Sequence, residues 1–153
     1  MKNIDVFQSI LVGDDGSPEA KRAVDTAFSL AKRYSAKLTL FCVKTPPSAE
    51  QWAEGYGLEE HERTQSQLVE EMERSAEAGR RQGVDVAIAK INGETAAKEI
   101  EDYAEKNGVD LLVVGHRDVS RVRYWLEGST SEHLLRHSSV SILIVHKGTP
   151  VSA

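Results

Sequence analysis

Gly115 is followed, after twelve intervening residues, by Gly128-Ser129-Thr130-Ser131. Small and hydroxyl-bearing residues in that order suit the capture of an anion. If they open a helix, its unpaired N–H groups and the hydroxyls of Ser129, Thr130 and Ser131 become donors to a phosphate. An ordinary helix cap at Ser129 or Ser131 would use the same residues. The stretch between the two glycines carries Arg117, Arg121 and Arg123 together with Asp118 and Glu127. Guanidinium forks pair with phosphate or carboxylate, so these arginines either reach an anion or balance Asp118 and Glu127 in an exposed loop. A divalent cation such as Mg shared between Asp118 and phosphate oxygens would fit hard-cation chemistry, on the support of a single carboxylate. The sequence has no G-x-x-x-x-G-K-[ST], and Gly13-Asp14-Asp15-Gly16 is not G-x-G-x-x-G, so neither the P-loop nor the dinucleotide pattern is present.

Asp15 follows an apolar run and would either face a ligand or accept backbone hydrogen bonds in the turn after a strand. Cys42 lies inside a second apolar run, where a thiol is a small core hydrophobe unless something lowers its pKa. His133 and His137 stand four apart but lack a third ligand at motif spacing, and Leu134-Leu135 between them mark a packing helix. No metal site is expected. No nucleophile has a base in supporting context, and no pair of carboxylates is placed for acid and base work. The chain reads as having no catalytic residues, any hydrolysis of a bound anion being slow and incidental.

The elements that must position these residues follow from periodicity. Ile10 to Val12, Leu38 to Val43, Leu111 to Val114 and Ile142 to Val145 are strand-like, and Val84 to Ala89 alternates more weakly, as a strand near a sheet edge does. Pro18 to Tyr34 places Ala20, Ala23, Val24, Ala27, Phe28, Ala31 and Tyr34 on one helical face, with Ser17 as cap, Pro18 at the first position and Lys32-Arg33 at the end. A second helix over Gly57 to Gln82 turns Leu68, Val69, Met72 and Ala76 inward and its glutamates to solvent. A third spans Glu94 to Lys106, with Ala97, Ile100 and Ala104 inward, and stops at Asn107-Gly108. A fourth spans Ser129 to His137.

Strand and helix alternate to the fifth strand, the pattern of a parallel sheet with helices on both faces, linked by right-handed crossovers: a three-layer α/β sandwich. Its long connections are Lys44 to Tyr56 and Gly115 to Glu127. Ligands of such sheets gather at the carboxyl ends of the strands, where these loops begin.

The 153 residues suit one domain over residues 1–147 with a short tail at 148–153, and 40% hydrophobic with 28% charged residues is a globular mixture. A net charge of -5 argues against nucleic acid as partner. One cysteine fits a reducing compartment, and no window approaches the roughly 20 apolar residues of a membrane span. A soluble cytoplasmic protein without membrane insertion is expected.

Ile10-Leu11-Val12-Gly13-Asp14-Asp15-Gly16-Ser17 and Asp110-Leu111-Leu112-Val113-Val114-Gly115 resemble the first and fourth strands of the universal stress protein family. That family's nucleotide signature, G-x2-G-x9-G-[ST], maps onto Gly115, Asp118, Gly128 and Ser129 with its spacing intact. Gly93, Ile100 and Ile142-Leu143-Ile144-Val145 also fall in place, so the resemblance covers nearly the whole chain. It departs at Asp118 in place of glycine, at Asp14 in place of an apolar residue and at Ser141 in place of proline.

The resemblance implies a five-stranded parallel sheet in order 3-2-1-4-5 and a homodimer paired through the last strand, Ser141 to His146. In one branch of the family it also implies an adenine nucleotide (ATP, ADP or AMP) near Asp15 and Val43, its phosphates held by the glycine loop with Gly128 and Ser129. No cofactor is needed for folding. The leading expectation is a dimeric nucleotide sensor or regulator. The alternative is a nucleotide-free dimeric module that recruits a protein client, since an aspartate at 118 sets a negative charge against phosphate.

Overall fold

The computed structural model describes residues 6–16, 18–44, 49–55, 57–93, 96–115 and 138–146. In chain order its elements are β1 (Ser9–Gly13), α1 (Pro18–Tyr34), β2 (Lys37–Lys44), α2 (Ala49–Ala53), α3 (Leu58–Arg81), β3 (Asp85–Asn92), α4 (Ala96–Lys106), β4 (Leu111–Gly115) and β5 (Ser141–Val145). All strand pairs are parallel and the sheet order is β3-β2-β1-β4-β5. The expected α/β architecture is therefore present, with the weakly alternating strand β3 at one edge. The short α2 was not anticipated: it lies inside the connection Lys44 to Tyr56, which reads as loop because Pro46-Pro47 precede it. Ser17, the side chain of Ala97 and the proposed helix Ser129 to His137 lie outside the described residues, as does the tail 148–153.

Alternation along the strands divides the core in two. Ile10, Val12, Leu38, Leu40, Cys42, Val86, Leu111 and Val113 face α1 and α3, which contribute Ala23, Val24, Ala27, Ala31, Leu68, Met72 and Ala76. Leu11, Phe41, Ala89 and Leu112 face the other way, against Ile100 and Ala104 of α4. There Phe41 and Tyr103 meet with ring centroids 5.1 Å apart. Because both faces of β1, β2 and β4 are covered, those strands read as nearly continuous apolar runs, broken in β2 by the buried Thr39, and the period of two emerges only when each residue is assigned a side. The glutamates of α3, among them Glu59, Glu70, Glu73 and Glu77, are exposed as expected.

Helix ends obey local chemistry. Ser35 takes φ +54° after α1, and the Ala36 N–H donates to Ala31 O at 2.9 Å, closing the last turn. Asn107-Gly108 stops α4, Gly108 adopting φ +63° while Val109 N–H donates to Ala104 O at 3.1 Å.

The amino-terminal end of the sheet is held tightly. The Asp110 carboxylate accepts Gln8 N–H at 2.8 Å and Ser9 N–H at 3.1 Å, while Asp110 N–H donates to Ser9 O at 2.9 Å, so β1 and β4 are clamped before their ladder begins. Arg80 donates through Nε at 3.1 Å and a terminal nitrogen at 2.9 Å to Val86 O, tying α3 to edge strand β3. Close by, Gly79 lies directly under the Phe28 ring, leaving no room for a Cβ.

Candidate functional site

β1 lies between β2 and β4, and the chain leaves it through α1 on one face while it enters β4 from α4 on the other. The direction of winding reverses between β1 and β4, and ligands of doubly wound sheets sit at the carboxyl ends of the strands beside such a point. Three expected site residues come to that edge. Gly13 pairs with Phe41, so Val43 lies two residues further along β2. Val12 pairs with Val113, so Gly115 projects two residues further along β4, and Asp15 stands just past the end of β1. Asp15 is exposed, Gly115 is half-buried, and Val43 is half-buried on the α4 side of the sheet. Arg117, Asp118, Gly128, Ser129, Thr130 and Ser131 lie outside the described residues.

A fourth residue belongs to this edge although residue type alone did not assign it there. Asp14 N–H donates to Phe41 O at 2.8 Å, and its Oδ1 accepts Gly16 N–H at 3.0 Å. Gly16 takes φ +79°, and a Cβ there would come within 3.4 Å of Leu68 Cδ1. The chain thus leaves β1 anchored to β2, turns through a left-handed residue and passes against α3. Asp14 itself is half-buried. Burial pushes its carboxyl above the usual carboxylate value, the Gly16 N–H opposes that, and the charge of Glu71 on α3 adds to it. The strand alternation holds the signal that finds it: one step past Ile10 and Val12, position 14 falls on the α1 and α3 side, where a charge is not expected.

Cys42 is buried in the same core, as its apolar neighbours suggested. Burial raises its pKa, the Asp14 charge raises it further and Lys90 opposes them, so the thiol is held in its unreactive neutral form. A cleft of about 420 Å³ between α1 and α3, lined by Asp25, Phe28, Ser29, Lys32, Ser75 and Gln82 among others, lies toward the opposite end of the strands. It shares no residue with the carboxyl edge.

The profile of the universal stress protein family matches residues 7–146. The chain belongs to that family. Among its relatives, universal stress protein YxiE of Bacillus subtilis is 30% identical over 148 residues, covering 92% of this chain and 99% of its own. A Staphylococcus haemolyticus relative is 30% identical over 140 residues, covering 91% of this chain and 84% of its own. A universal stress protein crystallised in complex with cAMP is 28% identical, with a TM-score of 0.65 over 93% of this chain and 98% of its own. As a universal stress protein, the chain has the five-stranded parallel sheet in order 3-2-1-4-5 that the resemblance implied. Among its described residues, no helix is long and apolar enough to cross a membrane.

Proposed function

We propose that this universal stress protein is a cytoplasmic homodimer that binds an adenine nucleotide and acts through occupancy, not turnover. The observation that carries the reading is the convergence of Asp15, Val43 and Gly115 on the carboxyl ends of three adjacent strands, at the point where winding reverses. The cAMP complex of a protein 28% identical supports an adenine ligand. In this reading Asp15 and Val43 flank the nucleoside, Gly115 begins the phosphate loop, and Arg117, Gly128, Ser129, Thr130 and Ser131 contact phosphate, with Mg bridging to Asp118 if a cation is used.

Support for the dimer comes from β5, which is paired only with β4 among the described residues and exposes Leu143 and Ile144 at 36% and 40%. An apolar edge left open invites pairing with a second chain. Sedimentation at tens of micromolar is expected to give a dimer, weakened in Ile144→Lys. A wild-type monomer would refute this part.

Nucleotide binding is tested by thermal melting with AMP, ADP, ATP and cAMP, with and without magnesium. A ligand at a hundredfold excess over its dissociation constant stabilises the fold by about 2.7 kcal/mol. The absence of any shift would reject the reading and favour a nucleotide-free module that recruits a protein client, the reading that the Asp118 charge favours.

A further inference from the structure

Asp14 has a half-buried carboxylate that the proposed ligand contacts do not use, although it sits one residue before Asp15, which is exposed and which the adenine-nucleotide reading sets against the ligand. We propose that Asp14 is a positioning residue: its ionised carboxylate holds the Gly16 amide, and so fixes the turn that presents Asp15, which loosens when Asp14 takes up a proton.

Two hydrogen bonds flank Asp15 in this turn. The Asp14 N–H is tied to Phe41 O at 2.8 Å, which fixes where the chain leaves the sheet. Two residues later the Gly16 N–H is tied to Asp14 Oδ1 at 3.0 Å, which fixes how the chain turns. Asp15 lies between these anchors, so the backbone that carries its side chain is held on both sides. The second anchor holds Gly16 at φ +79°, with Leu68 of α3 packed against the place where a side chain would be. A hydrogen bond to a carboxylate is roughly twice as strong as one to a neutral acceptor, so protonation weakens the anchor while leaving its geometry available.

The surroundings bring that protonation into reach. Glu71 faces Asp14 from α3, and the neutral Cys42 thiol lies beside it on β2, with Lys90 of β3 paired to Cys42 in register. Asp15 adds a second carboxylate on the same loop. Desolvation and Glu71 both favour the neutral acid, and the Gly16 N–H favours the anion. The turn therefore changes state at a higher pH than an exposed aspartate would allow. If the adenine reading holds, affinity falls with acidification through this residue, in addition to any titration of the ligand.

The test compares the wild-type protein with Asp14→Asn, which keeps an oxygen for the Gly16 N–H but cannot ionise. Amide resonances of Asp15 and Gly16 are followed from about pH 8 to about pH 4, and AMP affinity is measured by calorimetry over the same range. In the wild type the Gly16 amide is expected to titrate with a midpoint above the ordinary aspartate value, and AMP binding to weaken roughly fivefold more than in Asp14→Asn, where Gly16 stays flat. A Gly16 amide that is flat in a wild-type protein that binds AMP, or that titrates equally in the variant, overturns the proposal and leaves the nucleotide reading intact. AMP bound by neither protein at any pH overturns the nucleotide reading and the affinity coupling together.

Discussion

The two ends of one sheet use aspartate in opposite ways. At the amino end, Asp110 spends both carboxylate oxygens on the backbone of β1 and receives a strand carbonyl in return for its own N–H. At the carboxyl end, the half-buried Asp14 accepts one amide, faces Glu71 and is pushed toward its neutral form. Asp110 holds the strands together. Asp14 sits where burial and the charge of Glu71 disfavour its own charge. The amino end also has Gly79 packed under Phe28 and Arg80 fastened to Val86 O, whereas the carboxyl end turns through the left-handed Gly16.

The contrast can be broken most forcefully at Gly79. Any side chain there meets the Phe28 ring, so Gly79→Val should destabilise by about 3 kcal/mol in urea unfolding, at the upper range for overpacking. A neutral result would mean that α1 and α3 are not in close contact at this point. Asp110→Ala should follow at about 2 kcal/mol, because two strand amides lose a charged acceptor; a loss below about 0.5 kcal/mol would place the clamp among ordinary surface contacts.

At the carboxyl end the expected changes are in ligand affinity more than in folding. On the adenine-nucleotide reading, Asp118→Gly supplies the glycine that the family signature has there and removes a negative charge, and should tighten ATP roughly tenfold to a hundredfold, on the order of 1 to 3 kcal/mol, with a smaller gain for AMP. Calorimetry at fixed salt reads this directly. Unchanged or weaker ATP affinity would mean that Asp118 points away, pairs with Arg117, Arg121 or Arg123, or holds a cation the nucleotide needs.

The smallest effect is on the stability of Asp14→Asn. A carboxyl whose folded pKa is raised binds its proton more tightly in the native state, so its contribution is fullest below the unfolded value and is lost as pH rises through the folded one. The asparagine variant should therefore be the more stable protein at neutral pH, the gap closing as the solution is acidified. Denaturation midpoints that differ equally at both extremes would show that the carboxyl is not held above its usual value.

The strands, the helix Pro18–Tyr34 and the turn at Asn107-Gly108 were readable because they depend on neighbours a few residues away: the spacing of apolar side chains, a proline at a helix start, a glycine free to adopt positive φ. Glu94 and Thr95, expected to begin α4, lie outside the described residues, and β3 runs on to Asn92, past the expected Ala89, since pairing with β2 sustains it where its own alternation fades. The family signature brought Asp15, Val43 and Gly115 into consideration, but nothing local tells that they meet at one edge. That depends on β1 lying between β2 and β4. In the same way Asp110 reads as a loop acid until Gln8 and Ser9, a hundred residues earlier, present their amides to it. Asp14 reads as one of two adjacent acids until α3 brings Glu71 and Leu68 over the turn. Periodicity belongs to a segment and can be found within it, whereas desolvation and facing charge belong to the space between segments, and only the assembled sheet creates that space.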